Sequence, residues 1–327
     1  MSAASSSTAT PSPPRHDRIG AGILFGALAG ATWGLVFLAP ALAYDFTPWQ
    51  LSAGRYLAYG LIALLLVLPR WRRLIDGLRA SHWWALIWLS LLGNIVYYVL
   101  LAKAVQFGGI AMTSIVIGFL PVAVTVVGTR RAGAVSLRQL WPSLLLGASG
   151  IACVSWQSLD FAGAGSATTL IGFLCALGAL VSWSSYAIYN NHWLERLPSV
   201  SAHDWSLLTG LVTGALALTL AIPAFVLPDL SGHGDTAWLR YLGVCAGMAL
   251  FSSVIGNACW NSASRLLPLT LVGQMVLFET LFALLYGFLW EARWPTLLEC
   301  VAIVLVTASV LTCVRVHRHP ETMHPAA

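Results

Sequence analysis

The residues of this chain that could do chemistry are polar or aromatic side chains set inside long apolar runs. One run holds Asn94, Tyr97 and Tyr98 at i, i+3 and i+4, which a helix brings onto one face. Another offers Ser253, Asn257, Trp260 and Asn261 at similar spacing, and the two share an Asn-x-x-aromatic shape. A third adds Ser182, Trp183, Tyr186, Tyr189 and Asn190, while Trp33 stands alone in the first run. Amides and hydroxyls among aromatic rings suit a zwitterion with an apolar side chain. Ring faces attract ammonium groups by ~0.5–2 kcal/mol, and amide or hydroxyl donors hold a carboxylate. For Trp33, Trp183 and Tyr186 the competing reading is packing. For Tyr189, Asn190 and Asn261, close to the ends of their runs, it is interfacial anchoring.

Glu279 is the outstanding charge. It lies eleven residues past Pro268, about 16 Å into the ninth run at ~1.5 Å per residue. A central acid costs about 2.5–3.5 kcal/mol on insertion scales, so a partner or a role is expected. It could bind a proton or a substrate ammonium group, or it could pair with Arg55 in the second run. Arg55, about 9 Å from the end of its run, could also snorkel. Gln274 is expected to share the cavity, and Lys103 and Glu299 to sit at interfaces.

These residues need a scaffold that keeps them out of lipid. Of the 327 residues, 58% are hydrophobic and only 9% charged, with a mean hydropathy of +0.79. A soluble domain carries about 25% charged residues, so most of this surface faces lipid. About 20 apolar residues cross the ~30 Å hydrocarbon core. Marking such runs predicts ten transmembrane helices, at 20–43, 49–69, 83–103, 109–128, 140–157, 167–190, 205–227, 238–261, 268–290 and 296–314. With both termini cytoplasmic, 13 of the 17 basic residues fall in cytoplasmic connections and tails, as the positive-inside rule requires. The opposite connections carry Asp45, Asp160, Asp229, Asp235 and Glu291. Residues 1–18, rich in Ser, Ala, Thr and Pro, are expected to be a disordered cytoplasmic tail, and 315–327 a second tail. The apolar run after the first tail is too long for a signal-peptide core and is expected to be retained.

The chain divides into five-helix halves at 19–157 and 167–314. At an offset of 150 residues Gly22, Leu24, Ala29 and Trp33 meet Gly172, Leu174, Ala179 and Trp183. Five is odd, so the second half enters the membrane from the opposite side. The fold expected is an all-α integral membrane protein of two inverted five-helix repeats, with a substrate site near the midplane between them. Gly22, Gly26, Gly30 and Gly34 leave one helix face bare for close packing in lipid. Gly210/Gly214 and Gly243/Gly247 repeat the device.

Ala31-Thr32-Trp33-Gly34, Ser182-Trp183-Ser184-Ser185-Tyr186 and Ile117-Gly118-Phe119-Leu120-Pro121-Val122 carry a resemblance. On them the chain resembles the drug/metabolite transporter superfamily over residues 20–314, and within it the bacterial inner-membrane exporters of aromatic and other amino acids. The resemblance implies a secondary transporter of the inner membrane, and it implies that Trp183 lines the substrate cavity. Asn94 stands where the compared exporter has an acid. A drug or nucleotide-sugar carrier of the same superfamily is the alternative substrate class.

Composition and motifs bear on other classes. The chain lacks His-Glu-x-x-His and Gly-x-x-x-x-Gly-Lys-Ser/Thr, so neither metal proteolysis nor ATP hydrolysis by this chain is expected. No cysteine pair has metal-ligand spacing, and the six cysteines lie in apolar runs. No metal or cofactor is expected, and no basic patch points to nucleic acid. The partners implied are a small-molecule substrate and the lipid bilayer. The sequence leaves the oligomeric state open. An intramembrane enzyme or a receptor is the reading from another class.

Overall fold

The computed structural model describes residues 15–130, 134–156, 167–226 and 233–318, which form helices and connections with no strand among them. Residues 1–14 of the expected first tail, the expected divide at 157–166, and residues 319–327 of the expected second tail lie outside the described residues, as do Asp160, Asp229 and Arg131; residues 15–18 and 315–318, expected in the tails, are helical. Among the described residues the helical stretches group into ten rods. They are α1 (Arg15–Gly34), α2 (Pro48–Val67), α3 (80–117), α4 (Leu120–Gly128), α5 (Leu137–Trp156), α6 (Ala167–Arg196), α7 (Ala202–Phe225), α8 (235–266), α9 (269–291) and α10 (Leu297–Arg318). Short turns at 35–42 and 68–75 prolong α1 and α2.

Local chemistry sets where the rods begin. Thr47 and Gln50 form a reciprocal capping box at the head of α2, the Gln50 amide N donating to Thr47 Oγ1 and the Thr47 amide N to Gln50 Oε1. Ser201 Oγ accepts from the Asp204 amide N at the head of α7. At the start of α10 the Glu299 carboxylate accepts from the Thr296 amide N and from both Arg293 amino groups, so this acid is satisfied locally.

Among the described residues, seven rods are long and apolar enough to cross a membrane: α2, α3 and α6 to α10. The expected break at 103–109 between the third and fourth spans is absent: the backbone is helical through Val96–Ile117 and turns only at residues 118–119. The reason lies in the sequence. No proline stands between Pro69 and Pro121, and Pro121 disfavours helix just before itself, so the turn falls there. That leaves α4 nine residues, about 14 Å at 1.5 Å per residue.

Two rods are irregular in matching places. α3 contains a π segment at Leu91–Ile95 and α8 one at Ala249–Gly256. A π turn loosens the i→i−4 ladder and offers its carbonyls to neighbours. A third rod, α9, is interrupted at Val276 between Leu269–Met275 and Leu277–Glu291.

Packing crosses between the two halves of the chain. α2 packs on α7, α4 on α9 and α5 on α10; α1 packs on α8 and α9, and α6 on α3 and α4. Exchanging each rod for the one five places along returns the same set of pairs. Glycine makes the closest of these contacts possible. A Cβ on Gly22, Gly26, Gly30 or Gly34 would lie 2.6, 2.7, 2.5 or 3.0 Å from atoms of Leu267, Met275, Phe278 and Ala283 respectively, so this face of α1 seats on 267–283. Gly60 of α2 and Gly214 of α7 meet in the same way, a Cβ on Gly60 coming within 2.6 Å of the Gly214 Cα. Gly210 faces the Tyr59 ring. Gly243 and Gly247 differ. Nothing lies within 4 Å of a Cβ on either, so they open away from neighbouring helices and form no close contact among the described residues.

Candidate functional site

The tryptophans of three rods converge. The Trp33 ring centroid lies 6.2 Å from that of Trp183 and 5.2 Å from that of Trp260, and Trp183 lies 5.5 Å from Trp260 and 6.0 Å from Tyr186. All four side chains are buried. They form a packed aromatic cluster.

Two π segments receive this cluster. The Trp33 indole N–H donates to the Ser252 carbonyl (3.0 Å), and Ser252 Oγ donates back to the Thr32 carbonyl (2.7 Å). On the other side Ser182 Oγ donates to the Leu92 carbonyl (2.8 Å). Gly256 gives room to Thr32 and Trp33, where a Cβ would lie 2.6 Å from the Thr32 hydroxyl, and Gly93 gives room to the Tyr186 ring at 2.5 Å. Thr32-Trp33 and Ser182-Trp183 therefore each lean on the irregular turn of a rod in the other half.

Beside the cluster runs a polar layer built mainly on α2. Arg55 Nε donates to Ser253 Oγ (3.1 Å), and its guanidinium carbon lies 5.4 Å from the Tyr56 ring centroid. Tyr98 meets Tyr56 edge-on at 6.5 Å. The Tyr59 hydroxyl donates to the Ser206 carbonyl (2.6 Å) and accepts from Asn257 Nδ2 (3.4 Å). Asn94 Nδ2 donates to Thr213 Oγ1 of α7 (3.3 Å). Glu279, just past the interruption in α9, has its backbone N 2.8 Å from where a Gly30 Cβ would lie. Its carboxylate is within electrostatic reach of Arg55 and Tyr97. Among the described residues no salt bridge within 4.0 Å joins Arg55 to Glu279. A cavity of about 30 Å³, room for a pair of waters, lies between α1, α2, α3 and α8; Ser52, Arg55, Tyr98 and Met248 are among its walls.

Gln274 lies apart from this layer. It is buried between α4, α5 and α10, donating to Thr125 Oγ1 (3.4 Å) and accepting from Ser309 Oγ (3.2 Å), where α9 holds its neighbours together. Asn190 and Asn261 are buried in a closed network. Asn190 Nδ2 donates to Asn261 Oδ1 (2.8 Å), and the Trp205 indole N–H donates to Asn190 Oδ1 (3.0 Å). Tyr189 is exposed. That end carries the Arg70–Asp204 ion pair at 3.2 Å, and Arg265 donates there to the carbonyls of Leu197 and Val200. At the opposite end Arg240 pairs with Asp45 and lies over the Tyr44 ring, while Phe46 stacks on Tyr241 at 4.3 Å.

A match to a known family decides what class of protein this geometry serves. The EamA-like transporter family matches twice, over residues 20–156 and 170–315. The chain belongs to the EamA-like transporter family. It is a helical, multi-pass membrane protein of a transporter family. It is 34% identical over 309 residues to the inner membrane protein YtfF of Escherichia coli, covering 90% of this chain and 95% of that one. It is 29% identical over 191 residues to YvbV of Bacillus subtilis, an uncharacterized transporter, covering 58% of each chain. A solved crystal structure superposes with a TM-score of 0.74 at 18% identity, over 93% of this chain and 99% of that one, a likeness of fold.

Tyr56, Tyr59, Ser252 and Thr213 belong to the layer without standing out in the sequence. Tyr56 and Tyr59 follow a lone arginine in an apolar run, and that arginine is the available signal for them.

Proposed function

We propose that the chain is a secondary transporter of the inner membrane that exports amino acids, aromatic and other small zwitterions, by alternating access. Family membership gives transport, and the inner membrane follows the Escherichia coli relative. The observation that carries the mechanism is the exchanged packing: α1 on α8 and α9 mirrors α6 on α3 and α4, while α2–α7, α4–α9 and α5–α10 pair across the divide. Such an exchange is what two oppositely inserted repeats would produce, with both termini cytoplasmic. Bundles related in this way rock about a site between them. The π segments are the compliant points, because a helix already holding irregular turns shifts register at low cost. Contacts at each end, Asp45–Arg240 and Arg70–Asp204, are the closures that would open in turn.

The polar layer supports the substrate class. Aromatic rings, hydroxyls, amides and one charge of each sign are gathered between helices, where each charge costs energy unless it has a role. Glu279 serves as the proton or substrate-ammonium site, and Trp33, Trp183, Trp260 and Tyr186 form the aromatic side that yields as the halves move. Asn94, Tyr97, Tyr98 and Asn257 line the polar side. No catalytic role is assigned to any residue.

Purified protein in liposomes preloaded with radiolabelled amino acids tests the reading. Efflux of at least one amino acid above that from empty liposomes is expected. Efflux of none would defeat amino-acid export. In the same assay Trp183→Ala should slow efflux about tenfold, the kinetic equivalent of ~1.4 kcal/mol, with its elution from size exclusion unchanged. A variant as fast as the parent would remove Trp183 from the site.

A further inference from the structure

Arg55 and Glu279 are opposite charges at one level of the molecule, and neither uses the other. Ser253, which bonds Arg55, adjoins Ser252, which bonds Trp33. Glu279 backs onto Gly30, one helical turn from Trp33. The two charges are thus brought to the same layer from α2 and α9. They attract each other but do not form a salt bridge. Only Nε of the guanidinium donates to a described residue, and the Glu279 carboxylate accepts from none. Arg55 is also a wall of the cavity between α1, α2, α3 and α8.

Two charges within a bundle would be cheapest in direct contact, since a membrane interior leaves them little water. Here the serine and the Tyr56 ring hold the guanidinium in place and leave its fork open. A guanidinium fork fits a carboxylate with two parallel hydrogen bonds. A carboxylate such as Glu279 accepts from an ammonium group. We propose that Arg55 binds the carboxylate of the substrate while Glu279 takes its ammonium group. The carrier then selects molecules that bear both groups, and it discriminates against amines, amides, esters and simple acids. This rests on the amino-acid reading above.

The test is competition in proteoliposomes. An amino acid found to be carried is used as label and competed with its unlabelled form, its amide and its deaminated acid. A competitor lacking either charged group should compete about tenfold or more weakly, because it forgoes a charge-assisted hydrogen bond. Arg55→Gln should raise the KM for the amino acid about tenfold and remove the advantage of the amino acid over its amide. Arg55→Lys should restore part of that advantage. Equal competition by amino acid and amide on the parent protein would overturn the proposal while leaving amino-acid export standing. So would an Arg55→Gln variant with unchanged KM and unchanged discrimination. If Arg55→Gln does not elute as a single folded species, competition on the parent protein alone decides. If the parent carries no amino acid, export itself fails, and this assignment fails with it.

Discussion

Gly30→Leu should abolish the folded protein in detergent, while Gly243→Leu leaves it unchanged. At Gly30 the obstacle is backbone as well as side chain: an added Cβ would lie 2.5 Å from Phe278 Cβ, 2.8 Å from the Phe278 carbonyl carbon and 2.8 Å from the Glu279 N. A flexible side chain could swing aside, but a helix axis must move as a whole. Gly26 and Gly34 seat the neighbouring turns of α1 on Met275 and Phe282–Ala283, so α1 cannot tilt locally to relieve the strain. Overpacking a tight core costs about 1–3 kcal/mol even where side chains can adjust, so the cost here lies at or above the top of that range. Gly243 has nothing within 4 Å of its Cβ position, and there a leucine meets open space. Thermal melting in detergent, read by loss of the monodisperse peak, compares the two. Equal melting temperatures would mean that α1 does not seat on α9 through its glycine face.

The second large effect is at Glu279. Glu279→Gln keeps shape and hydrogen-bonding capacity but removes the charge. A hydrogen bond to a charged group contributes about 1.5–3 kcal/mol, equivalent to roughly 10–150-fold in binding. If Glu279 exchanges a proton for the substrate ammonium, Glu279→Gln should slow efflux by an amount in that range. It should also leave a residual rate indifferent to a pH difference imposed across the vesicle. The parent protein should respond to that difference. A Glu279→Gln variant that still responds, at the parent's rate, would place the coupling elsewhere in the chain.

Much of the scaffold is legible in the sequence because the bilayer imposes simple rules. Apolar runs mark the rods, and prolines and capping residues mark their ends, as at Pro48 and at the Thr47–Gln50 box. The four-residue glycine spacing on α1 is readable because it needs only the helical period. Gly243 and Gly247 have the same spacing without a neighbour, since spacing says which face is bare and not what lies against it. The run through residues 103–109 misleads because dividing an apolar run into lengths of about 20 residues does not show where the helix turns. A helix tolerates glycine at about 1 kcal/mol each, whereas Pro121 forces the break.

The site is legible in composition but not in arrangement. Asn94, Tyr97, Tyr98, Asn257 and Glu279 are readable as polar residues out of place, and they fall in or beside one layer. Gln274 is equally out of place but is bonded into the packing of α4 and α10. The π segments carry no local signature. They lie where the Tyr186 ring and the Thr32–Trp33 pair pack against Gly93 and Gly256, contacts between residues far apart in the chain. The clustering of three tryptophans likewise depends on crossings that no single run contains.

Alternating access as proposed requires the two halves to be inserted in opposite directions, and sidedness measures that directly. In a background with the six native cysteines replaced by serine, single cysteines are placed at positions 79 and 196 and at positions 45 and 235. A membrane-impermeant maleimide is then added to intact cells made permeable only at the outer membrane. Labelling at 45 and 235, with 79 and 196 reacting only after lysis, is the predicted result. Reaction of 79 and 196 from opposite faces would contradict it, because 79 is equivalent to 235 and 45 to 196, and equivalent loops of inverted halves must lie on opposite faces.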